Sequence, residues 1–237
     1  MTFIPPTKEN GFILTSNRDE RIHRKAMAPR IIENEGIKLC FPMDSIGGGS
    51  WIAANGEGRI SCLLNGGIEP HQKQPIHTYS RGKVLLDFVS SKNVQEFFEG
   101  SDLTSVEPFT IINIEHKKGS INLFTESIWD GSRKHIRKLD QQQPYIWSSV
   151  TLYKEEQLVL RKEWFNKFIQ TYYPRFTPEK VLAFHSGTHT DDKATNVLMQ
   201  REDDLKTVSI TQITPHNDKL FMKYSDLLEQ SEHEIVI

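Results

Sequence analysis

The sequence predicts an α+β fold of two mostly antiparallel sheets with helices on their outer faces. Short apolar segments separated by turn signals fill residues 2–67, and the apolar spacing becomes helical from residue 80. Strand patterns return at residue 109, a longer helical pattern covers about 155–172, and strand patterns follow to the end of the chain. Because this order lacks the regular alternation of a parallel α/β fold, two antiparallel sheets fit better.

Each element is predicted from its own local pattern. Asn55-Gly56-Glu57-Gly58 is typical of a hairpin turn, and polar turns are expected at 5–10 and 216–218. The predicted strands are 2–4, 11–16, 37–41, 51–54, 59–64, 109–114, 121–125, 145–147, 207–213 and 219–224. The predicted helices contain Val84, Leu85, Phe88 and Val89, then Val94, Phe97 and Phe98, then 155–172, then 178–184 with Pro178 near the first position.

Composition and charge exclude several classes of protein. Lysine and arginine number 29 against 31 aspartate and glutamate, without a basic block, so a nucleic acid partner is not expected. The apolar runs are far shorter than a membrane span, and the start has no signal-peptide pattern. We therefore expect a soluble cytoplasmic protein with one domain over 1–237 and leave its oligomeric state open. Cys40 and Cys62 lie in apolar strand contexts and are expected to be buried thiols rather than a disulfide.

Four polar side chains follow the second predicted strand. Asn17, Arg18, Asp19 and Glu20 come directly after the apolar segment 11–16, which is expected to be buried on both faces. Functional side chains concentrate where strands end, so this quartet is the first candidate site. The alternative is a solvated turn with a local ion pair.

Four short motifs together indicate a family. They are Asn17-Arg18-Asp19-Glu20, Gly48-Gly49-Ser50-Trp51-Ile52, Leu63-Leu64-Asn65-Gly66-Gly67 and Ser80-Arg81-Gly82. In this order and spacing the chain resembles the NRDE family, also called the transport and Golgi organisation protein 2 family, over nearly its whole length. The resemblance implies the four-layer αββα sandwich of the N-terminal nucleophile hydrolases. The stretch 51–65 also resembles the hairpin of penicillin acylase and bile salt hydrolase relatives.

The resemblance implies a set of catalytic roles. In such hydrolases the side chain of the first mature residue is the nucleophile and its own α-amine is the general base, since an α-amine pKa of about 7.7 to 8 lies near neutrality. Arg18 would lower the pKa of that amine, and Asp19 would orient the amine. Asn65 would stabilise the tetrahedral oxyanion.

The chain departs from the family pattern at the nucleophile. Relatives typically open Met-Cys before a short apolar strand, whereas this sequence opens Met1-Thr2-Phe3-Ile4. Alignment places the family's cysteine about three residues before Thr2, so we expect the natural start to lie upstream. Thr2 is the alternative nucleophile, but an offset of three strand residues is roughly 10 Å and turns the side chain to the opposite face.

Further residues are predicted to contact the substrate. They are Asn17, Glu20, Trp51, Arg81, Ser149 and Lys206. Ser149 stands where relatives often keep an oxyanion-assisting Asn, and Lys206 stands where they often keep an Arg. For Trp51 a core anchor, and for Arg81 an exposed residue beside a helix N-cap, remain the open alternatives.

No metal and no cofactor are predicted. The segment 185–192 contains two histidines and two aspartates, but it lacks the glutamate of a zincin helix, and Gly187 interrupts the helix. A solvated loop is expected there instead. The glycines at 47–49 match neither a phosphate loop nor a nucleophile elbow.

Two functions follow from these observations. The leading hypothesis is an amidohydrolase that acts on a linear amide C–N bond of a small-molecule substrate. It requires the polar quartet and Asn65 to converge on one recess beside the start of the chain. The alternative is a binding or trafficking protein on the same fold, whose cleft holds a lipid, acyl or haem-like small molecule.

Overall fold

The strands of the protein form two antiparallel sheets. The computed structural model describes residues 1–7, 11–34, 36–71, 78–216 and 219–237. Within these ranges the elements are β1 (Thr2–Ile4), β2 (Ile13–Arg21), β3 (Ala26–Asn34), β4 (Ile37–Asp44), β5 (Ile52–Asn55), β6 (Arg59–Asn65), α1 (Arg81–Ser90), α2 (Val94–Gly100), β7 (Phe109–Lys117), β8 (Ser120–Trp129), β9 (Lys134–Lys138), β10 (Tyr145–Ile146), α3 (Glu155–Tyr172), α4 (Pro178–Ser186), β11 (Leu205–His216), β12 (Lys219–Asp226) and β13 (Ser231–Val236).

The first of two compact units contains the start of the chain. It consists of Met1–Lys25, Gln141–Ser148 and Tyr153–Val236, and its six-stranded sheet has the order β10-β1-β2-β11-β12-β13. Helices α3 and α4 cover one face of this sheet. Their apolar cluster contains Ile4, Ile13, Phe165, Phe168, Phe176, Val181, Phe184 and Val197. Burial of these side chains anchors β1 and β2 under the two helices.

The second unit is a meander with its own helices. It consists of Ala26–Asp140, Ser149–Leu152 and Ile237, and its seven strands β3 to β9 are neighbours in chain order. Helices α1 and α2 lie over this sheet. Their core contains Leu63, Val84, Leu85, Phe88, Val94, Phe98, Leu103, Val106, Phe109, Ile111 and Trp129. Cys40 and Cys62 are buried thiols in this unit, as predicted, and burial raises the pKa of Cys40 to about 12.

The helices predicted from apolar periodicity are confirmed. Ser80 and Thr177 are the N-caps of α1 and α4, and their side chains accept hydrogen bonds from the amides of Lys83 and Lys180. Pro178 occupies the first turn of α4, where a missing amide hydrogen costs nothing. The apolar positions of α3 turn towards the sheet, with Phe165 and Phe168 buried.

Three strands were not predicted. Residues 26–34, 134–138 and 231–236 fall outside every strand that the sequence predicts. The structure places β3, β9 and β13 at sheet edges. Edge strands carry exposed and charged side chains, which removes the apolar pattern from which a strand is predicted. The Lys-His-Ile-Arg-Lys sequence of β9 is an example.

Some predictions lie partly outside the described residues. The turn expected at 5–10 includes 8–10, and the turn expected at 216–218 includes 217–218, which the structure does not describe. The flanking strands of the second turn do pair, with His216 opposite Lys219. None of the described helices is both long enough and apolar enough to cross a membrane. The single domain and the cytoplasmic location remain predictions.

Candidate active site

The polar quartet lies inside β2 rather than beyond its end. The expected boundary at Ser16 is wrong because β11 continues to pair with β2 as far as Arg21 opposite Leu205. Successive residues of a strand point to opposite faces, so the quartet is divided between the two faces of the sheet. Asn17 and Asp19 share the face that carries Ile13 and is covered by helices, whereas Arg18 and Glu20 lie on the other face.

Arg18 is a buried cation on the face of the sheet opposite the one that α3 and α4 cover. Its side chain is 7% exposed, and its Nη1 donates to the main-chain oxygen of Arg24 at 2.8 Å. Glu20, two residues further along the same face, forms an ion pair with Arg24 at 3.2 Å. Lys206 lies opposite Glu20 on β11 and is half-buried. The segment after β2 therefore folds back and holds this group of charges.

Asp19 is oriented by two hydroxyl groups on the helix-covered face. Tyr153 donates to Oδ2 at 2.9 Å, and Thr207 donates to Oδ1 at 2.6 Å. Thr207 is placed by a bulge in β11, where the register shifts between Thr207 and Ser209. The pKa of Tyr153 is raised, chiefly by burial and then by the charge of Asp19. The Arg161 guanidinium lies 4.2 Å from the centre of the Tyr153 ring.

Thr2 and Asn17 meet the same histidine. The Thr2 hydroxyl lies 2.7 Å from Nε2 of His185, and Asn17 Oδ1 lies 2.7 Å from Nδ1. The prediction of a solvated loop is wrong for His185, which is in the last turn of α4 and is 1% exposed. The partners of His185 lie far away in the sequence, so no local pattern predicts its burial. The hydroxyl of Thr2 faces the helices and is itself buried.

The register of β1 is given by its pairing with β2. Thr2 is opposite Thr15, Phe3 is opposite Leu14, and the Met1 amine donates to the main-chain oxygen of Trp147 at 3.0 Å. Each step back along β1 is a step forward along β2. If the strand continued in this register, a position three residues before Thr2 would be opposite Arg18 and on the same face as Arg18.

Asn65 belongs to the second unit, at the end of β6. Its side chain is exposed, whereas its main chain is held: the Ser149 hydroxyl donates to the Asn65 oxygen at 2.7 Å, and Thr110 donates to the Gly66 oxygen at 3.1 Å. Gly66 has a positive φ of 93°, and a Cβ there would lie 2.5 Å from Val150. Ser149 thus contacts the main chain of Asn65. The convergence of Asn65 with the quartet remains a prediction.

Trp51 and Arg81 are also in the second unit. Trp51 is half-buried, and its main-chain oxygen accepts from the Leu63 amide at 2.8 Å. Arg81 is partly buried: Nη2 forms an ion pair with Glu107 at 2.9 Å, and Nη1 donates to the oxygen of Pro108 at 3.3 Å. The Arg81 guanidinium is therefore paired with two residues that directly precede β7.

Sequence reasoning missed several residues that hold the candidate site. Tyr153, Arg161, His185 and Thr207 contact the quartet or its partners, and none was singled out for that role. The contacts of Tyr153, His185 and Thr207 with the quartet each cross more than 100 residues of chain, so they leave no local signal. Of these four residues, only His185 belonged to a segment considered from the sequence, and residues 185–192 were considered there as a metal site.

The fold is N-terminal nucleophile hydrolase-like, since it is similar to three solved structures of that kind. Penicillin V acylase from Agrobacterium tumefaciens is similar with a TM-score of 0.57 and 12% identity, covering 99% of this chain and 85% of that chain. The Caenorhabditis elegans orthologue of N-acylethanolamine-hydrolyzing acid amidase gives 0.53 and 12%, covering 99% and 100%. A variant of conjugated bile acid hydrolase from Clostridium perfringens gives 0.52 and 10%, covering 99% and 92%. The predicted α+β class with two mostly antiparallel sheets is confirmed.

The family follows from the sequence match. The family model of Transport and Golgi organisation 2 matches residues 1–226, so the chain belongs to that family. The resemblance drawn from the four motifs is thereby confirmed. Among curated proteins, none matches the chain.

Proposed function

We propose that the protein is an amidohydrolase of the N-terminal nucleophile type, which cleaves a linear amide C–N bond of a small-molecule substrate. The observation that carries the proposal is the register of β1 against β2. Thr2 is opposite Thr15, so a strand that continued in this register would bring the residue three positions before Thr2 opposite the buried Arg18. The family resemblance puts the cysteine nucleophile at about the same position.

The chemistry assigns a role to each group. The α-amine of that cysteine takes the thiol proton, and the sulfur attacks the amide carbon. Arg18 lowers the pKa of the neighbouring amine, so the neutral base is available near pH 7. The leaving amine takes the proton, and water then hydrolyses the thioester with the same α-amine as base. In this proposal Asp19 maintains the orientation of the base, supported by its two hydroxyl donors.

Asn65 is the proposed donor to the oxyanion. Its exposed amide is available to a ligand, and the main chain on either side is fixed by Ser149 and Thr110. A donor that is already in place needs little reorganisation during the reaction, which is the basis of oxyanion stabilisation. Glu20, Trp51, Arg81 and Lys206 remain proposed substrate contacts.

The test uses a form of the protein with cysteine at the position three residues before Thr2. Release of amine from penicillin V, a conjugated bile acid and an N-acylethanolamine is measured, because the three similar structures are named for an acylase, a hydrolase and an amidase. We expect turnover that disappears when this cysteine is replaced by alanine. Asn65→Ala should lower kcat by about 10²- to 10³-fold.

The matched control is Asn93→Ala, which removes an exposed amide from the cap of α2. It should leave kcat unchanged. Equal turnover by the cysteine and alanine forms would refute the proposal. Saturable binding of an acyl or haem-like ligand without any turnover would favour the binding-protein alternative.

A further inference from the structure

A continuous chain of hydrogen bonds joins β1, α4 and β2. It runs from the Thr2 hydroxyl to Nε2 of His185 at 2.7 Å, and from Nδ1 of His185 to Oδ1 of Asn17 at 2.7 Å. Thr2 and His185 are each 1% exposed, so water does not compete for these bonds. The proposed amide chemistry assigns no role to His185.

The hydrogen positions in this chain follow from Asn17. Its Nδ2 donates to the main-chain oxygens of His185 at 3.1 Å and of Val197 at 2.8 Å, which turns Oδ1 towards the imidazole. Because Oδ1 only accepts, Nδ1 of His185 must carry the proton. The neutral ring then presents a bare Nε2, and the Thr2 hydroxyl donates to it.

The surroundings of His185 keep the ring neutral. Burial lowers the pKa of His185 well below its ordinary value, and the positive charge of Arg161 acts in the same direction. A second proton would also sit on Nε2 and point at the Thr2 hydroxyl. The hydroxyl hydrogen would then have to rotate away from the ring. The hydrogen positions of Thr2, His185 and Asn17 therefore depend on one another.

This chain bears on the position of β1. The strand has only three residues, and its register against β2 decides which side chains share a face with Arg18. A slip of one residue would move Thr2 to the opposite face and leave the buried Nε2 without its donor. The bond from Thr2 thus opposes slippage of β1.

We infer that His185 is a positioning residue, which holds β1 in register through the Thr2–His185–Asn17 chain, with Thr2 opposite Thr15, so that a residue three positions before Thr2 would lie opposite Arg18. This inference rests on the proposed function for its catalytic meaning. The positioning itself is measurable without any turnover. A failure of the amidase assay and a failure of the positioning chain are therefore distinguishable.

Nitrogen NMR of the imidazole rings tests the inference in the full chain. We expect His185 to be the neutral tautomer with the proton on Nδ1, unchanged between pH 5.5 and 8. Finding the proton on Nε2 in the native protein would overturn the inference, and this measurement needs no variant.

Variants of Thr2 test the effect on the strand. Thr2→Val keeps the shape and removes the donor, and we expect amide exchange at Phe3 and Ile4 to accelerate about tenfold, with a changed Nε2 resonance. Thr2→Ser should restore both. The control is Thr211→Val in the same sheet, because the buried Thr211 hydroxyl has no hydrogen-bond partner within the described residues.

Two outcomes of the variant series would overturn the inference. One is a Thr2→Val protein whose Nε2 resonance and β1 exchange equal those of the wild type. The other is a Thr211→Val protein that shows the same acceleration as Thr2→Val, since the effect would then be a general loss of stability. Where the cysteine-containing form is active, Thr2→Val should lower kcat with little change in KM, and Thr2→Ser should restore it.

Discussion

Single side chains of the quartet act on two different faces of one strand. Asn17 and Asp19 are engaged by His185, Tyr153 and Thr207 on the helix-covered face. Arg18 is a buried cation on the other face, three residues beyond Thr15, which pairs with Thr2. Two side chains of this motif are therefore engaged by partners on the helix-covered face, whereas the role of Arg18 in chemistry is a proposal.

The neutral state of His185 makes stability depend on pH. Burial lowers the pKa of His185 in the folded protein, whereas the unfolded chain takes up a proton near pH 6.5. The stabilisation from neutral His185 is therefore complete above that pH and is lost as the pH falls below it. The slope from this one residue is up to about 1.4 kcal/mol per pH unit.

His185→Gln removes that titration. We expect the difference in free energy of unfolding between wild type and His185→Gln to shrink as the pH falls from 7.5 to 5, measured by urea denaturation. The exposed His233 supplies the control, since His233→Gln should leave the pH dependence as it is in the wild type. A constant difference across the range would show that His185 titrates normally.

Pairs of elements explain two of the family motifs. The Ser50 amide donates to the oxygen of Gly82 at 3.2 Å, which brings the segment before β5 against the first turn of α1. A Cβ on Gly49 would lie 2.5 Å from the carbonyl carbon of Gly82. Gly49 and Gly82, one from each motif, thus permit a close approach of two main chains.

This close approach predicts the cost of a methyl group. Gly49→Ala should lower the free energy of unfolding by about 1 to 3 kcal/mol, because main chain on both sides must shift. The measurement is the urea midpoint followed by circular dichroism. Gly100→Ala at the end of α2 is the matched control, as a Cβ there meets nothing within 4 Å. Equal midpoints for the two variants would contradict the close-packing explanation.

At the scale of the whole molecule, the chain is divided between two units but passes between them repeatedly. The first unit takes its residues from three separate segments, and Ser149–Leu152 belongs to the second unit although both neighbouring segments belong to the first. The single domain predicted from the sequence remains a prediction, which the unfolding of the two units can test.

We therefore expect the two units to unfold in one transition. Cys40 and Cys62 report on the second unit, because both thiols are 0% exposed and react only after that unit opens. In a Trp51→Phe/Trp129→Phe variant, the fluorescence of Trp147 and Trp164 reports on the first unit. The two probes should give the same urea midpoint. Midpoints that differ beyond error would show that the units are separate domains.

The local patterns were sufficient for the helices and for the central strands. Val84, Leu85 and Phe88 at helical spacing place α1, and the apolar run Ile111, Ile112 and Ile114 places β7, because burial of a regular face leaves a regular pattern. The four motifs together, in their order and spacing, were sufficient for the family. Edge strands such as β9 left no such pattern, since their side chains remain in water.

What the sequence determined by itself was the fold class, the family and the residues worth examining. What the tertiary structure decided was their arrangement: that the quartet lies within β2, that Asn17 and Asp19 face the helices while Arg18 faces away, and that His185 joins Thr2 to Asn17. The physical reason is the distance along the chain between the residues that interact. Propensity and periodicity act between near neighbours, whereas the register of β11 on β2 and the packing of α4 on β1 bring together groups more than 150 residues apart.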